Sequence, residues 1–209
     1  MEAAKVSRDH PVVISKFMTN AREVEVDGVS DGENVFIGAI IEHVENAGIH
    51  SGDATMSIPT LTITEEVKEK IRDYTRRIAR ALNIKGPFNI QYLVKDGEVY
   101  VIECNLRASR SMPFVSKAIG VNLMELAADA ILGKTIPNGE GRVKEWWVKA
   151  PQFSFMRLEG ADPVTGVEMV STGEVACSGK TFEEAFLNAL RAAGLKIPSR
   201  GDPILITVG

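Results

Sequence analysis

The sequence predicts an α+β protein. Three observations predict it. Val- and Ile-rich runs at residues 12–17 and 22–44 alternate in polarity, the period-2 signature of strands. Val67, Ile71, Tyr74, Ile78 and Leu82 recur on one face at helical spacing. Residues 88–104 read as a β-hairpin.

In chain order, residues 12–17 and 22–44 supply three strands, with a turn at Asp31-Gly32. Residues 46–60 are small, polar and glycine-containing, and read as a loop. Thr64 opens a helix, and Glu65 and Glu66 suit the positive end of its dipole. The 88–104 hairpin leads into a loop at 105–111. Asn122 and Glu125 form an N-cap pair for a helix through Leu132. Gly133 to Gly141 is the best linker. Strands follow from Trp146 to Met156. Thr181 with Glu184 is a capping box for a helix to about Ala193. Residues 203–208 read as an apolar strand, which needs neighbours to cover it.

With 44% hydrophobic and 25% charged residues, the chain can bury a sizeable core as one or two globular domains. A net charge of -4 argues against general nucleic-acid binding and leaves room for a local basic pocket. Cys104 and Cys177 lack paired spacing and read as reduced thiols. Runs of about 18 apolar residues are absent, as is a signal-peptide core at the N-terminus, so neither membrane nor export is expected and the cytoplasm is the expected address. The first strand-like run begins at Pro11 and the last stops at Gly209, so the chain is expected to be a piece of a longer one.

The stretch FNIQYLVKDGEVYVIECNLRASR, from Phe88 to Arg110, carries the most chemistry. Glu103 and Asn105 are two apart and share a strand face. Gln91 lies on the partner strand. A two-residue Asp96-Gly97 turn pairs Gln91 with Ile102 and turns it away from Glu103. A three-residue loop, Lys95-Asp96-Gly97 with Gly97 left-handed, places Gln91 opposite Val101 and diagonal to Glu103, with Asn89 opposite Glu103. The three-residue loop is the expectation. One carboxylate with amide oxygens suits a hard cation that takes its other ligands from phosphates. Arg107 and Arg110 follow closely and can grip an anion bidentately.

Other residues read more plainly. The loop Gly48-Ile49-His50-Ser51-Gly52-Asp53 offers backbone donors, a hydroxyl and an imidazole, for nucleotide binding or for local hydrogen bonding. Glu23 and Glu25 share a strand face that, unaided, reads as a solvated edge. Trp146 and Trp147 read as packing residues, and Cys104 as buried and inert.

Together, EHVENAGIHSGDA, NIQYLVKDGEVYVIECNLRASRSMPFVSKAIGV and STGEVACSGKTFEEAF resemble the large chain of carbamoyl-phosphate synthetase, an ATP-grasp ligase. The resemblance runs from about Pro11 to Gly209. His50-Ser51-Gly52-Asp53 and Pro113-Phe114-Val115-Ser116-Lys117 resemble the second ATP-grasp half, which phosphorylates carbamate. The resemblance implies the C-terminal part of an ATP-grasp fold over residues 1–135, holding the ATP, metal and carbamate site. A connecting region follows at 136–200. The first strand of an α/β, methylglyoxal synthase-like regulatory domain follows at 201–209.

It also implies roles. Glu23 matches the acid that holds the ATP ribose. Lys16 and Met18 match the segment beside adenine, and some relatives carry His where Lys16 stands. Gly48, Ile49, His50 and Ser51 match the nucleotide loop. Gln91, Glu103 and Asn105 match ligands of Mg²⁺ or Mn²⁺, with Glu103 bridging two ions, and Gln91 and Glu103 also border ATP. Arg107 and Arg110 match the arginines around the carbamate or acyl-phosphate intermediate. The implied reaction is carbamate plus ATP giving carbamoyl phosphate plus ADP, feeding arginine and pyrimidine biosynthesis. The implied partners are the rest of the large chain and a glutaminase small subunit. The family's glycine-rich flap would lie upstream of residue 1, so the chain alone is expected to be inactive. Biotin carboxylases share Glu-x-Asn-x-Arg, but Ala108-Ser109-Arg110-Ser111-Met112-Pro113 does not resemble their continuation. A non-catalytic scaffold is the remaining alternative.

Overall fold

The computed structural model describes residues 16–153 and 164–204. Strands β1 (Arg22–Asp31), β2 (Val35–Asn46), β3 (Met56–Ile58), β4 (Lys85–Lys95), β5 (Glu98–Asn105), β6 (Gly139–Glu140), β7 (Trp146–Phe153) and β8 (Ser171–Gly179) form one sheet. Its order is β5-β4-β1-β2-β3-β7-β8, antiparallel throughout, with β6 added parallel to β2. The helices are α1 (Glu65–Ala81), α2 (Met112–Ile119), α3 (Leu123–Ile131) and α4 (Phe182–Ala192).

The two faces of the sheet are covered differently. Val24 and Val26 of β1, Ile37 of β2 and Phe88, Ile90 and Tyr92 of β4 pack with Val67 and Ile71 of α1. Thr75 Oγ1 and the Tyr92 hydroxyl lie 2.7 Å apart inside this layer. Tyr92→Phe leaves the threonine hydroxyl unpaired there, so stability should fall by about 1–2 kcal/mol, read as a shift in the urea midpoint at constant slope. On the opposite face, α2 and α3 cover Phe36, Ala39 and Ile41. They sit so close that a Cβ on Gly38 would meet Leu123 and Val115 at 2.8 Å. A third cluster, Val148 and Ala150 with Ala185, Ala189 and Ala193, seats α4 on β7 and β8.

Several predicted elements stand. Asp31 closes the β1–β2 turn by accepting from the backbone N–H groups of Glu33 and Asn34 at 3.0 and 2.7 Å. Thr64 caps α1 at the Val67 N–H, and Asn122 caps α3 at the N–H groups of Met124 and Glu125. Thr181 caps α4 through the Glu184 N–H. The return bond of that capping box is displaced by one residue, because Glu184 accepts from the Lys180 N–H instead.

Other expectations are corrected. Lys16 and Phe17 are not in a strand, and the rest of the predicted 12–17 strand lies outside the described residues. So do 154–156 of the predicted 146–156 strands and 205–208 of the predicted terminal strand, while Pro203 and Ile204 are not in a strand. Helix α2 was not predicted. The Gly133 to Gly141 segment is no free linker. Its Ile136 is buried, the Ile136 N–H is held by Asp31, and Gly139 and Glu140 pair with β2.

Candidate active site

The predicted site depends on the β4–β5 hairpin. The three-residue loop is not formed. Asp96 and Gly97 make a two-residue turn with φ of 52° and 78°, and Lys95 pairs with Glu98. Positive φ at both central residues is the geometry that Asp-Gly favours, because its twist matches the strands. Left regular, that ladder would separate Gln91 from Glu103. A bulge prevents this: Tyr92 pairs with Val101 and Gln91 pairs with Glu103, so Ile102 is the extra residue. Gln91 therefore sits directly opposite Glu103, and Asn89 opposite Asn105.

The register continues inward. Gln91 is paired on its other side with Glu25, and Asn89 with Asp27. Glu25, Gln91 and Glu103 form one row across β1, β4 and β5, and Asp27, Asn89 and Asn105 form the next. These rows lie on the same face as α2 and α3.

Glu23 and Glu25 are not a solvated edge. Strand β1 is flanked by β2 and β4, and Glu23, Glu25 and Asp27 are 6%, 1% and 0% exposed. Burial raises the Glu23 carboxyl above its ordinary range, reinforced by Glu25 and Glu103 against the opposing His43 and Gly48 N–H. Burial works against ionisation of Glu25 too, but there His43, Ser111 and Lys149 prevail and the carboxyl titrates low. Burial, then the neighbouring Glu25, pushes Asp27 up to about 7. His43 stands between the first two acids, 3.9 Å from each.

Two adjoining cavities open onto these rows. The larger, about 490 Å³, is lined by Lys16, Met18, Glu23, Gly48, Ile49, His50, Ser51, Gln91 and Glu103, which are all nine positions predicted for ATP. Phe17, Leu93 and Ile102 give it apolar walls. The bulge accounts for the last: it lets the neighbours Ile102 and Glu103 line the same cavity. The smaller, about 70 Å³, is lined by Arg107, Arg110 and Asn105 together with Glu25 and Lys149. His50, Ser51 and Gln91 border both.

Local hydrogen bonds hold these groups in place. His50 Nδ1 accepts from the Gly52 N–H at 3.0 Å, and the His50 carbonyl accepts from the N–H groups of Asp53 and Ala54. Asp53 accepts from the N–H groups of Val170 and Ser171, tying the loop to β8. Gln91 Nε2 donates to Ser51 Oγ at 3.3 Å, and Asn105 Nδ2 donates to Glu103 at 2.8 Å. Asp27 accepts from Asn89 Nδ2, Ser109 Oγ and Ser111 Oγ, which fixes the loop carrying Arg107 and Arg110.

Lys149 was missed by sequence reasoning. Its side chain is buried, Nζ donates to the Ser51 carbonyl at 3.1 Å, and Glu174 lies 3.6 Å away. Burial lowers its pKa. The available signal was a lone lysine in the apolar run Trp146-Trp147-Val148-Lys149-Ala150.

The donor chemistry fits a hard cation. Gln91, Glu103 and Asn105 offer one carboxylate and two amide side chains, and the described residues contain no group of three or more His, Cys, Asp or Glu placed to hold a metal by itself. Such a set leaves positions for phosphate oxygens and water, as Mg²⁺ prefers.

Residues 1–138 match the family model described as carbamoyl-phosphate synthase L chain, ATP binding domain. The chain is 52% identical over 212 residues to the multifunctional protein pyr1-3 of Dictyostelium discoideum, covering 100% of this chain and 9% of that one. It is 50% identical over 208 residues to the human mitochondrial carbamoyl-phosphate synthase [ammonia], covering 96% of this chain and 14% of that one. It thus spans about a tenth of the length of these relatives. Among solved structures it is similar to a biotin carboxylase complex from Campylobacter jejuni, with a TM-score of 0.67 at 15% identity over 84% of this chain and 46% of that one. It is also similar to N5-carboxyaminoimidazole ribonucleotide synthetase from Thermotoga maritima, with a TM-score of 0.63 at 18% identity over 83% and 51%. These likenesses show the fold: an antiparallel sheet with helices, the α+β, ATP-grasp arrangement that the sequence predicts.

Proposed function

This chain belongs to the carbamoyl-phosphate synthase L chain ATP-binding family, and we propose that it forms the floor of a site where ATP phosphorylates carbamate to carbamoyl phosphate. One observation carries the reading. The oxygen-bearing row of Gln91 and Glu103, with Asn105 beside it, borders a nucleotide-sized cavity, and an arginine-lined cavity adjoins that one.

In this reading ATP occupies the larger cavity. Adenine lies along the segment with Lys16 and Met18, the ribose is held by Glu23, and the Gly48 to Ser51 loop borders the nucleotide. Carbamate occupies the smaller cavity, its charge met by Arg107 and Arg110. A carbamate oxygen attacks the terminal phosphoryl group and ADP leaves, without a covalent enzyme intermediate. Gln91, Glu103 and Asn105 would hold a divalent cation, which would neutralise phosphate charge. The chain's own residues orient the two reactants, and the arginines meet the charge that develops between them.

We further propose that the chain acts with the remainder of a large chain, and with a glutaminase small subunit or free ammonia as nitrogen source. Residues 1–135 would then be the ATP-grasp part, 136–200 a connecting region and 201–209 the start of a regulatory domain. No helix among the described residues is long and apolar enough to cross a membrane. A cytoplasmic address is proposed, with the mitochondrial location named for the human relative as the alternative.

Purified residues 1–209 are expected to bind ATP weakly, and more tightly with Mg²⁺, by calorimetry, yet to form no carbamoyl phosphate. The intact synthase carrying this chain should phosphorylate carbamate and leave biotin unchanged. Carboxylation of biotin, or robust synthesis by residues 1–209 alone, would overturn this reading.

A further inference from the structure

We infer that Glu25 reads the amino group of the acceptor substrate, its free carboxylate oxygen accepting an N–H bond from carbamate in the smaller cavity. The inference rests on the function proposed above. Glu25 is 1% exposed and lines that cavity, yet its Oε1 has no hydrogen-bond partner among the described residues. A buried carboxylate oxygen without a donor is costly, and in a ligand cavity the missing donor is supplied by what binds there.

The surroundings narrow the donor. Lys149, the nearest buried cation, is engaged by the carbonyls of Ser51 and Gly52 and by Glu174. His43 Nε2 faces the other oxygen, Oε2, at 3.9 Å, beyond hydrogen-bond distance, and the Ser111 hydroxyl donates to Asp27. Arg107 and Arg110 line the same cavity and suit an anionic end. The occupant therefore needs a carboxylate-like end and an N–H end. At about 70 Å³ the space is on the order of two water volumes, enough for a planar ion of four heavy atoms. Carbamate has that form. The sheet also sets the spacing. Glu25 is paired with Gln91, which is paired with Glu103, so the amino-group acceptor stands one strand inward of Gln91 and two strands from Glu103.

The test runs the site in reverse in the intact synthase. ADP takes the phosphoryl group from carbamoyl phosphate, releasing carbamate, or from acetyl phosphate, releasing acetate, which carries a methyl group where carbamate has NH₂. The ratio of kcat/KM for the two donors reads amino-group recognition and is insensitive to losses common to both. Wild type should prefer carbamoyl phosphate. Glu25→Leu should lower the ratio about 10- to 100-fold, chiefly through carbamoyl phosphate, and Glu25→Gln, which keeps a neutral acceptor, should lower it less. Melting of both variants identifies any misfolded protein, and if the leucine variant fails to fold, the glutamine variant decides. A folded variant with the wild-type ratio, or a wild type indifferent to the two donors, would overturn the role of Glu25 while leaving carbamate phosphorylation standing. A wild type that makes no ATP from carbamoyl phosphate would overturn the function itself.

Discussion

Glu103→Gln in the intact synthase should lower carbamate-dependent phosphoryl transfer by about three orders of magnitude and leave the fold unchanged. The two effects separate because of where Glu103 sits. It is on β5, the end strand of the sheet, and exposed, and its carboxylate accepts a hydrogen bond from Asn105 Nδ2. Glutamine has the same shape and keeps an oxygen for Asn105, so stability should change by no more than about 0.5 kcal/mol. It removes the only carboxylate of the Gln91, Glu103, Asn105 set. A divalent cation held by this set would lose its anionic protein ligand, and the Mg²⁺-dependent part of ATP affinity should fall with activity. Calorimetry with and without Mg²⁺, beside a melting curve, reads both. Activity equal to wild type would favour the scaffold alternative.

The same hairpin shows what was legible in the sequence. Asp96-Gly97 announces a turn, and Gln91, Glu103 and Asn105 announce a polar cluster. Bringing them together required choosing between two registers. The residues of the turn obey local chemistry and form the two-residue turn. The alignment is restored five residues later at Ile102, where nothing in the local propensity of Val101-Ile102 marks a bulge. Strand order was equally hidden. The alternation Glu23-Val24-Glu25-Val26-Asp27 predicts a strand with one polar face. That face is an interior one because the chain after β5, from Ser109 into α2, packs over it. Lys149 joins the site from a strand reached through β3, about a hundred residues from the loop it holds. The helix caps at Thr64, Asn122 and Thr181 were readable because a cap is a contact between neighbours in sequence. Helix α2 was not, being eight residues long, with no side-chain cap bond from Ser111.

Asp27 governs the second large effect. It is fully buried and receives three side-chain donors, from Asn89 on β4 and from Ser109 and Ser111 on either side of Arg110. Asp27→Ala removes the acceptor common to all three. The buried Asn89 loses its partner, Ser109 and Ser111 are left bonded to each other, and the loop of Arg107 and Arg110 loses its tether to the sheet. Stability should fall by about 3–5 kcal/mol, and activity in the intact synthase by more than about 100-fold. Asp27→Asn keeps an acceptor and the shape, and should retain most of the stability. It should also change the pH dependence. Burial, with Glu25 next to it, raises the Asp27 carboxyl from 3.8 to about 7. The folded chain therefore binds this proton more tightly than the unfolded one. Its contribution to stability is fully present below about pH 4 and is lost as pH rises towards 7. Glu25 and Asp53 are shifted the other way, so their contributions fade on acidification instead. Denaturant midpoints measured from pH 5 to 8 should thus decline more steeply for wild type than for Asp27→Asn. Parallel curves would show that Asp27 does not hold its proton in the folded chain.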